Sequence, residues 1–403
     1  MGDAEQVLVR VEPDITTLDA TQWDACANPS GPQGEAARPY NPFISHAFLA
    51  ALEESRSASA ETGWAPRHLV LDDGCGGMLA CMPCYLKSHS QGEYVFDYGW
   101  ADAFERAGGR YYPKLQAAVP FTPVTGRRLL VPDVAQAEER ETYLLNAAAT
   151  LLDRQGASSL HLTFLTQGEW ERAGTLGLLR RTDQQFHWQN QGYGTFDDFL
   201  CALTSRKRKL IRRERRDACK DEIVIRHYTG SEITEAHWDA FFSFYLDTGS
   251  RKWGQPYLNR AFFSLIGQTM ADRILLIMCE RNGQPIAGAL NFIGDDTLYG
   301  RYWGCIEDHR FLHFEACYYQ AIEFAIAHGL SCVEAGAQGP HKLARGYVPQ
   351  TTYSAHLIAD PSLRSAVARF LAQERRYVEM ENEELTCHAP YRRTSGMEDD
   401  NDA

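Results

Sequence analysis

The chain has 403 residues, 44% hydrophobic and 23% charged, with 40 Lys+Arg against 53 Asp+Glu and a formal net charge of −13. That length suggests two domains, and the composition excludes a collagen, a coiled-coil rod and a wholly disordered chain. No run approaches the ~20 apolar residues of a membrane span, Met1–Thr17 lacks the basic and apolar regions of a secretory signal, and the acidity speaks against a protein that coats nucleic acid, so a cytoplasmic protein is expected.

Residues 1–40 read as a Pro- and Gly-rich arm. A helix is expected over Ser45–Ser55, with Ser45 as its cap. Strands are expected over Arg67–Leu71 and Met78–Lys87, around the turn Asp72-Asp73-Gly74. Gly92–Trp100 is short and aromatic. A helix over Glu138–Arg154, a strand over Ser159–Phe164 and a short helix over Gly168–Ala173 complete a first unit, 41–185. A second unit, 186–360, opens with a strand at Phe186–Gln189 and a long helix at Thr195–Cys219. A strand at Ile223–Tyr228 and helices at Trp238–Tyr245 and Ala261–Met270 follow. Three strands then come in sequence, Ile274–Glu280, Pro285–Ile293 and Thr297–Cys305, joined by Asn282-Gly283 and by Gly294–Asp296, both hairpin signals. The helix Phe314–His328 keeps a one-faced apolar spacing. Strands at Cys332–Ala335 and Tyr353–Ile358 precede a last helix, Leu363–Glu379, within a segment 361–395 expected to pack back on both units. The acidic tail 396–403 is expected to be disordered. This order is α+β, with mixed sheets flanked by helices.

Cysteine adds no framework: the 11 are odd in number and scattered. Cys81-x-x-Cys84, with Cys75 and His89 nearby, has zinc-ligand chemistry, but a second well-spaced pair is missing and packed thiols are the expectation. His309 and His313 have helical metal spacing without an evident third ligand, so no metal site is expected.

Longer strings carry more. Tyr85-Leu86-Lys87-Ser88-His89-Ser90-Gln91-Gly92-Glu93-Tyr94-Val95-Phe96-Asp97, Tyr111-Tyr112-Pro113-Lys114-Leu115 and Pro120-Phe121-Thr122-Pro123-Val124-Thr125-Gly126 lie in the first unit. Gly300-Arg301-Tyr302-Trp303-Gly304, Leu312-His313-Phe314-Glu315 and Glu334-Ala335-Gly336-Ala337-Gln338-Gly339 lie in the second. Together they resemble the FemAB-like family of peptidoglycan biosynthesis/recognition proteins, from about Asn41 to about Pro390. The resemblance implies two tandem GNAT-like (acyl-CoA N-acyltransferase) domains and transfer of an acyl or aminoacyl group to the amine of a small molecule or peptide. It departs from the family at Pro340, where a Glu is expected, and at Gln91, where a Tyr is usual. The donor it implies is aminoacyl-tRNA. An acyl-CoA-dependent N-acetyltransferase and a non-catalytic binding protein on the same fold remain as alternatives.

Acyl transfer to an amine needs a proton acceptor, donors for the oxyanion and positive charge for the donor's phosphates. Glu334–Tyr347 is the richest segment, with Gly336, Gly339 and Gly346 among Gln338, His341, Lys342, Arg345 and Tyr347. There Lys342 resembles the Fem lysine that faces the donor phosphate, and Arg345, Gln338, Gly339, Tyr347 and Arg301 are expected to help hold the donor. Glu334, His341, Lys342, Glu315 and His313 are the candidate catalytic groups; Glu315 and His313 sit at a helix start that favours anions. Acyl-CoA enzymes of this fold carry a glycine-rich pyrophosphate turn before that helix, whereas Ile306–Leu312 has no glycine. Lys87, His89, Glu93, Tyr94, Asp97, Trp100, Tyr112 and Lys114 are the candidate acceptor-binding residues. Finally, eight of the eleven residues Arg206–Arg216 are basic and one is acidic, a net +7, which suits a polyphosphate such as tRNA or the phosphates of CoA.

Overall fold

A computed structural model describes residues 8–29, 38–252, 256–336 and 339–392. Gln338, the tail 396–403 and part of the arm therefore lie outside the described residues. Strands are β1 (Leu8–Glu12), β2 (Trp64–Pro66), β3 (His68–Asp72), β4 (Met78–Met82), β5 (Tyr85–Lys87), β6 (Lys114–Ala117) and β7 (Ser159–Leu165). They continue with β8 (Leu179–Gln189), β9 (Ile223–Thr229), β10 (Ile274–Arg281), β11 (Gln284–Ile293), β12 (Thr297–Cys305), β13 (Cys332–Glu334) and β14 (Val348–Ile358).

A three-stranded sheet, β1-β3-β4, flanks an eleven-stranded one ordered β2-β5-β6-β7-β14-β8-β13-β12-β11-β10-β9. Only β6/β7 and β12/β13 are parallel pairs among the described strands. The order is mirrored about the β14–β8 seam: β6, β7, β14 on one side and β12, β13, β8 on the other. Each half thus lends one strand to the other, and the seam runs from Val348↔His187 to His356↔Leu179. Two GNAT-like halves are joined by exchange into one sheet. The boundary expected at 185/186 falls inside β8, whose far end, His187–Gln189, pairs with β13.

The meander forms as read, and Asn282 (φ 51°) and Gly283 (φ 71°) take the left-handed conformations its tight turn requires. Several elements differ, among them the arm, which holds the strand Leu8–Glu12 and a helix, Ala20–Ala27, with Trp23 buried. Met78–Lys87 is cut at Pro83, which cannot donate to a ladder, so β4 and β5 join different sheets. Thr195–Cys219 breaks at Leu203-Thr204 into helices Phe196–Ala202 and Ser205–Ala218. Gly92–Trp100 runs into a helix, Tyr98–Arg106. The last helix, Pro361–Cys387, does pack back, with Glu374 gripping Arg181 of β8 at 2.7 and 2.9 Å.

The N-terminal part of the first half packs on the second half's sheet. Phe43 lies 5.0 Å from Phe292 and 5.2 Å from Tyr299, ring centre to ring centre. Cys81 and Cys84 are both buried in the core, where burial pushes the Cys84 thiol up to about 12. No helix among the described residues is long and apolar enough to cross a membrane.

Candidate active site

The parallel pairing of β12 with β13 ends at Tyr299↔Glu334. Beyond it β12 runs on to Cys305, while the other chain turns away at Gly336 (φ 72°). The strands splay and leave a wedge-shaped cavity of about 90 Å³, floored by Ala289–Asn291 and walled by Gly300–Trp303, His313, Cys317, Tyr318 and Ala335. Among the described residues β12 has no strand partner on this side past Tyr299. The Gly300 carbonyl accepts from Arg301 and the Cys305 amide donates to the Thr248 hydroxyl, which leaves the peptide groups between them for a ligand. A bulge shapes the wall: Leu290 faces Tyr302 and Asn291 faces Gly300, which leaves Arg301 as the extra residue.

Arg301 is fixed. It donates to Glu334 Oε2 at 2.9 Å and to the Gly300 carbonyl at 2.9 Å, and it lies over the Phe43 ring at 4.8 Å. His187 Nε2 lies 3.9 Å from the other Glu334 oxygen. Burial holds the His187 imidazole below its ordinary value. His313 packs edge-on to Trp303 in the wall, and a π-turn at Glu315–Tyr319 inserts into the helix that carries Cys317 and Tyr318. Such insertions recur at functional sites.

The glycine-rich segment folds as a short 3-10 helix, Pro340–Arg345, between Gly339 (φ 124°) and Gly346 (φ 91°). Lys342 is 2% exposed, donates to the Gly336 carbonyl at 2.8 Å and is pushed down to about 7 by burial and then by Arg301. His341 Nε2 is 2.9 Å from the Tyr318 hydroxyl, and burial lowers its imidazole. Lys342 does not line the wedge itself; its amine, part neutral near pH 7, sits on the Gly336 carbonyl within electrostatic reach of Arg301 and Cys317, which do line it. Because its ammonium is depressed relative to the unfolded chain, it lowers stability increasingly as pH falls from about 10 to 7. Lys342→Met is therefore expected to gain stability relative to the native chain over that interval, read as a melting-temperature difference that is larger at pH 7 than at pH 10.

Several expected roles change. Arg345 does not face a donor: it is buried, donates to both oxygens of Glu214 at 2.9 and 3.0 Å and to the His341 carbonyl, and stacks 3.5 Å over Phe314. The Tyr319 hydroxyl also donates to Glu214. Tyr347 is wholly buried and belongs to the core. Glu315 is buried too, clasped by Arg215 at 3.0 Å and by Gln320 at 2.7 Å; burial raises its carboxyl against the pull of Arg215.

The first-half cluster changes as well. Lys114 is buried among Ser90 (2.7 Å), Glu93 (2.7 Å) and Asp97, and Lys87 lies 3.5 Å over the Trp64 ring and 3.8 Å from Glu93. Trp100 is buried against His356. These five are interior groups with no face for an acceptor. Tyr112 bonds Ser90 at 2.9 Å, and His89 donates to the Thr62 carbonyl at 3.0 Å. Tyr94, half-buried with φ 61°, is the one of the eight whose surroundings include Arg301, Tyr245 and Tyr257 of the second half.

The turn before the 312–327 helix explains the missing glycines. Phe311 takes a left-handed φ of 68°, and the Leu312 and Glu315 amides are already bonded to His309 O (3.2 Å) and Phe311 O (2.9 Å). The Leu312 amide is thus engaged, while the Glu315 amide makes the first ordinary i→i−4 bond of the helix.

The basic run has two faces. On one, Glu214 and Arg215 brace the wedge's helix and loop. On the other, Arg206, Lys207, Lys209, Leu210 and Arg213 line a hollow of about 320 Å³. Among the described residues no carboxylate pairs with Arg206, Lys207 or Lys209, and Thr204 gives no side-chain cap. Cations in a first turn oppose the helix dipole, so the patch is held at an energetic cost that a bound anion relieves.

Sequence reasoning missed Asn291, Tyr318, Cys317 and Glu214. The legible signal was Asn291, an Asn inside an apolar strand opposite a Gly.

No curated protein matches the sequence. Among solved structures, the crystal structure of FemX superposes with a TM-score of 0.53 at 11% identity, covering 87% of this chain and 98% of that one. The chain is also similar to L-PGS from Bacillus licheniformis (0.49, 10%, 83% and 98%) and to a tandem GNAT protein from the clavulanic acid biosynthesis pathway (0.46, 11%, 88% and 99%). The family model for peptidoglycan biosynthesis/recognition matches residues 14–393. The chain belongs to the FemAB-like family.

Proposed function

We propose that this protein is an aminoacyltransferase that moves an amino acid from tRNA to the amine of a small molecule or peptide. The observation that carries this reading is the set of cations without carboxylate partners, Arg206, Lys207 and Lys209, on the helix whose other face braces the wedge. The glycine-free turn Ile306–Leu312 argues in the same direction, against a CoA pyrophosphate. The relatives named L-PGS and FemX fit the same class by their names alone.

In this reading the tRNA phosphates meet the basic patch and the aminoacyl ester enters the wedge over the second half. The acceptor amine arrives from the Tyr94 side. Its nitrogen attacks the ester carbonyl, a tetrahedral oxyanion forms and is stabilised by open β12 amides. The amine proton passes to the neutral fraction of Lys342 and on to the departing tRNA oxygen. Most of the acceleration comes from positioning. Such a protein works where charged tRNA is found, in the cytoplasm.

The test uses tRNA charged with a labelled amino acid and a panel of amine-bearing cell-wall precursors. Label is expected to move into an acid-stable amide with the native chain, and at least tenfold more slowly with Lys342→Met. Label that stays on tRNA with every acceptor, while acyl-CoA supplies the same panel, contradicts the reading.

A further inference from the structure

We propose that Asn291 is a specificity-determining residue that reads the free α-amine of the transferred aminoacyl group; this rests on the function proposed above. Asn291 sits in the middle of β11, is 1% exposed and floors the wedge. Its amide orientation follows from its neighbours. Nδ2 faces two carbonyls, those of Leu275 at 3.3 Å and Ala289 at 3.4 Å, so that end must be the NH2. The oxygen consequently points the other way, toward Gly300, and among the described residues it is buried without a hydrogen-bond partner.

A buried acceptor left unsatisfied costs free energy, and asparagine is depleted from strand interiors. Gly300, directly across the ladder, departs from strand preference in the same place. A Cβ there would stand 3.2 Å from Asn291 Oδ1 and 3.4 Å from the Glu334 carbonyl. Glycine thus keeps the space before the oxygen clear. Two residues that weaken the sheet meet at the cavity, and together they present one hydrogen-bond acceptor between the strands.

An acceptor there selects a ligand with a donor. Of the neighbouring polar groups, Arg301 is itself a donor, Glu334 Oε2 accepts from it and the Tyr318 hydroxyl is engaged with His341, whereas Asn291 Oδ1 has no such partner among the described residues. An α-amine donates an N–H in either protonation state, whereas a plain acyl chain has nothing to donate. The cavity of about 90 Å³ equals roughly three water volumes, so the matching group is a small amino acid.

The probes are alanyl-tRNA, propionyl-tRNA and uncharged tRNA. The first two differ only in hydrogen for amine on the same ester. Equilibrium binding to the native full chain is expected to favour alanyl-tRNA over propionyl-tRNA by at least tenfold, the usual penalty for leaving a buried polar group unpaired. Asn291→Leu is expected to bind both alike, with uncharged tRNA bound as by the native chain. A purely structural role for Asn291 would move all three affinities together. Equal binding of alanyl- and propionyl-tRNA by the native chain overturns the inference and leaves the donor reading standing. Binding of no tRNA at all overturns both.

Discussion

Lys114→Met is expected to be the most destabilising single substitution in the interior of the first half, at about 3–5 kcal/mol. The Lys114 ammonium is fully buried, yet it is held above its ordinary value: burial opposes the charge, and Glu93 and Asp97 more than restore it. Burial pushes Glu93 up to about 7, while Asp97 stays below the usual carboxylate range because Lys114 and His161 outweigh its burial. Methionine fills the same volume but leaves Glu93 and Asp97 without their main counter-charge. The contrast is Lys87→Met. Burial pushes Lys87 down to about 6, so near pH 7 it is mostly neutral and its stem lies along Trp64. That variant is expected to melt close to the native temperature. Thermal melts of both variants at pH 7 decide the matter, and equal losses would contradict the assignment of the charge to Lys114.

The second large effect concerns the basic helix. Arg206→Ala, Lys209→Ala and Arg213→Ala together are expected to weaken tRNA binding at least tenfold at low salt. They should also reduce the slope of log affinity against log salt by about 2–3, since each phosphate left without its cation takes away about 0.7–0.9. The fold should hold, because these side chains are exposed, Arg206 opposes the helix dipole in the first turn, and Arg213 makes only a surface i,i+4 pair with Asp217. Arg215→Ala belongs to a different class. It strips the buried Glu315 of its guanidinium partner and should lower the melting temperature as well. A triple variant with unchanged salt dependence would remove the patch from the account.

Local signals made the meander legible, because Asn282-Gly283 and alternating apolar runs state both turn and strand. The seam strands were not. Leu179–Gln185 and Val348–Thr352 are largely polar, and their polarity is answered only by distant partners such as Glu374 and by each other. Periodicity within a window cannot reveal a strand exchanged between halves. The site divides in the same way. Glycines and bases marked 334–347, and Lys342 is buried there on the Gly336 carbonyl, next to the wedge wall at Ala335. Arg345 looked identical in sequence, yet its guanidinium belongs to Glu214, 131 residues earlier. Lys87, Glu93, Asp97 and Lys114 looked like a binding surface because charge in a sequence suggests water. Here Lys114 and two carboxylates compensate one another inside the core beside a mostly neutral Lys87, which composition cannot distinguish from an exposed cluster.

The proposed donor is a charged tRNA held by the Ser205–Ala218 helix and delivered to the wedge between β12 and β13. A titration of the native chain with alanyl-tRNA and with acetyl-CoA, in one buffer at two salt concentrations, tests it directly. Saturable tRNA binding that weakens steeply with salt is expected, and no saturable binding of acetyl-CoA. Saturable acetyl-CoA binding with absent or salt-insensitive tRNA binding would contradict it.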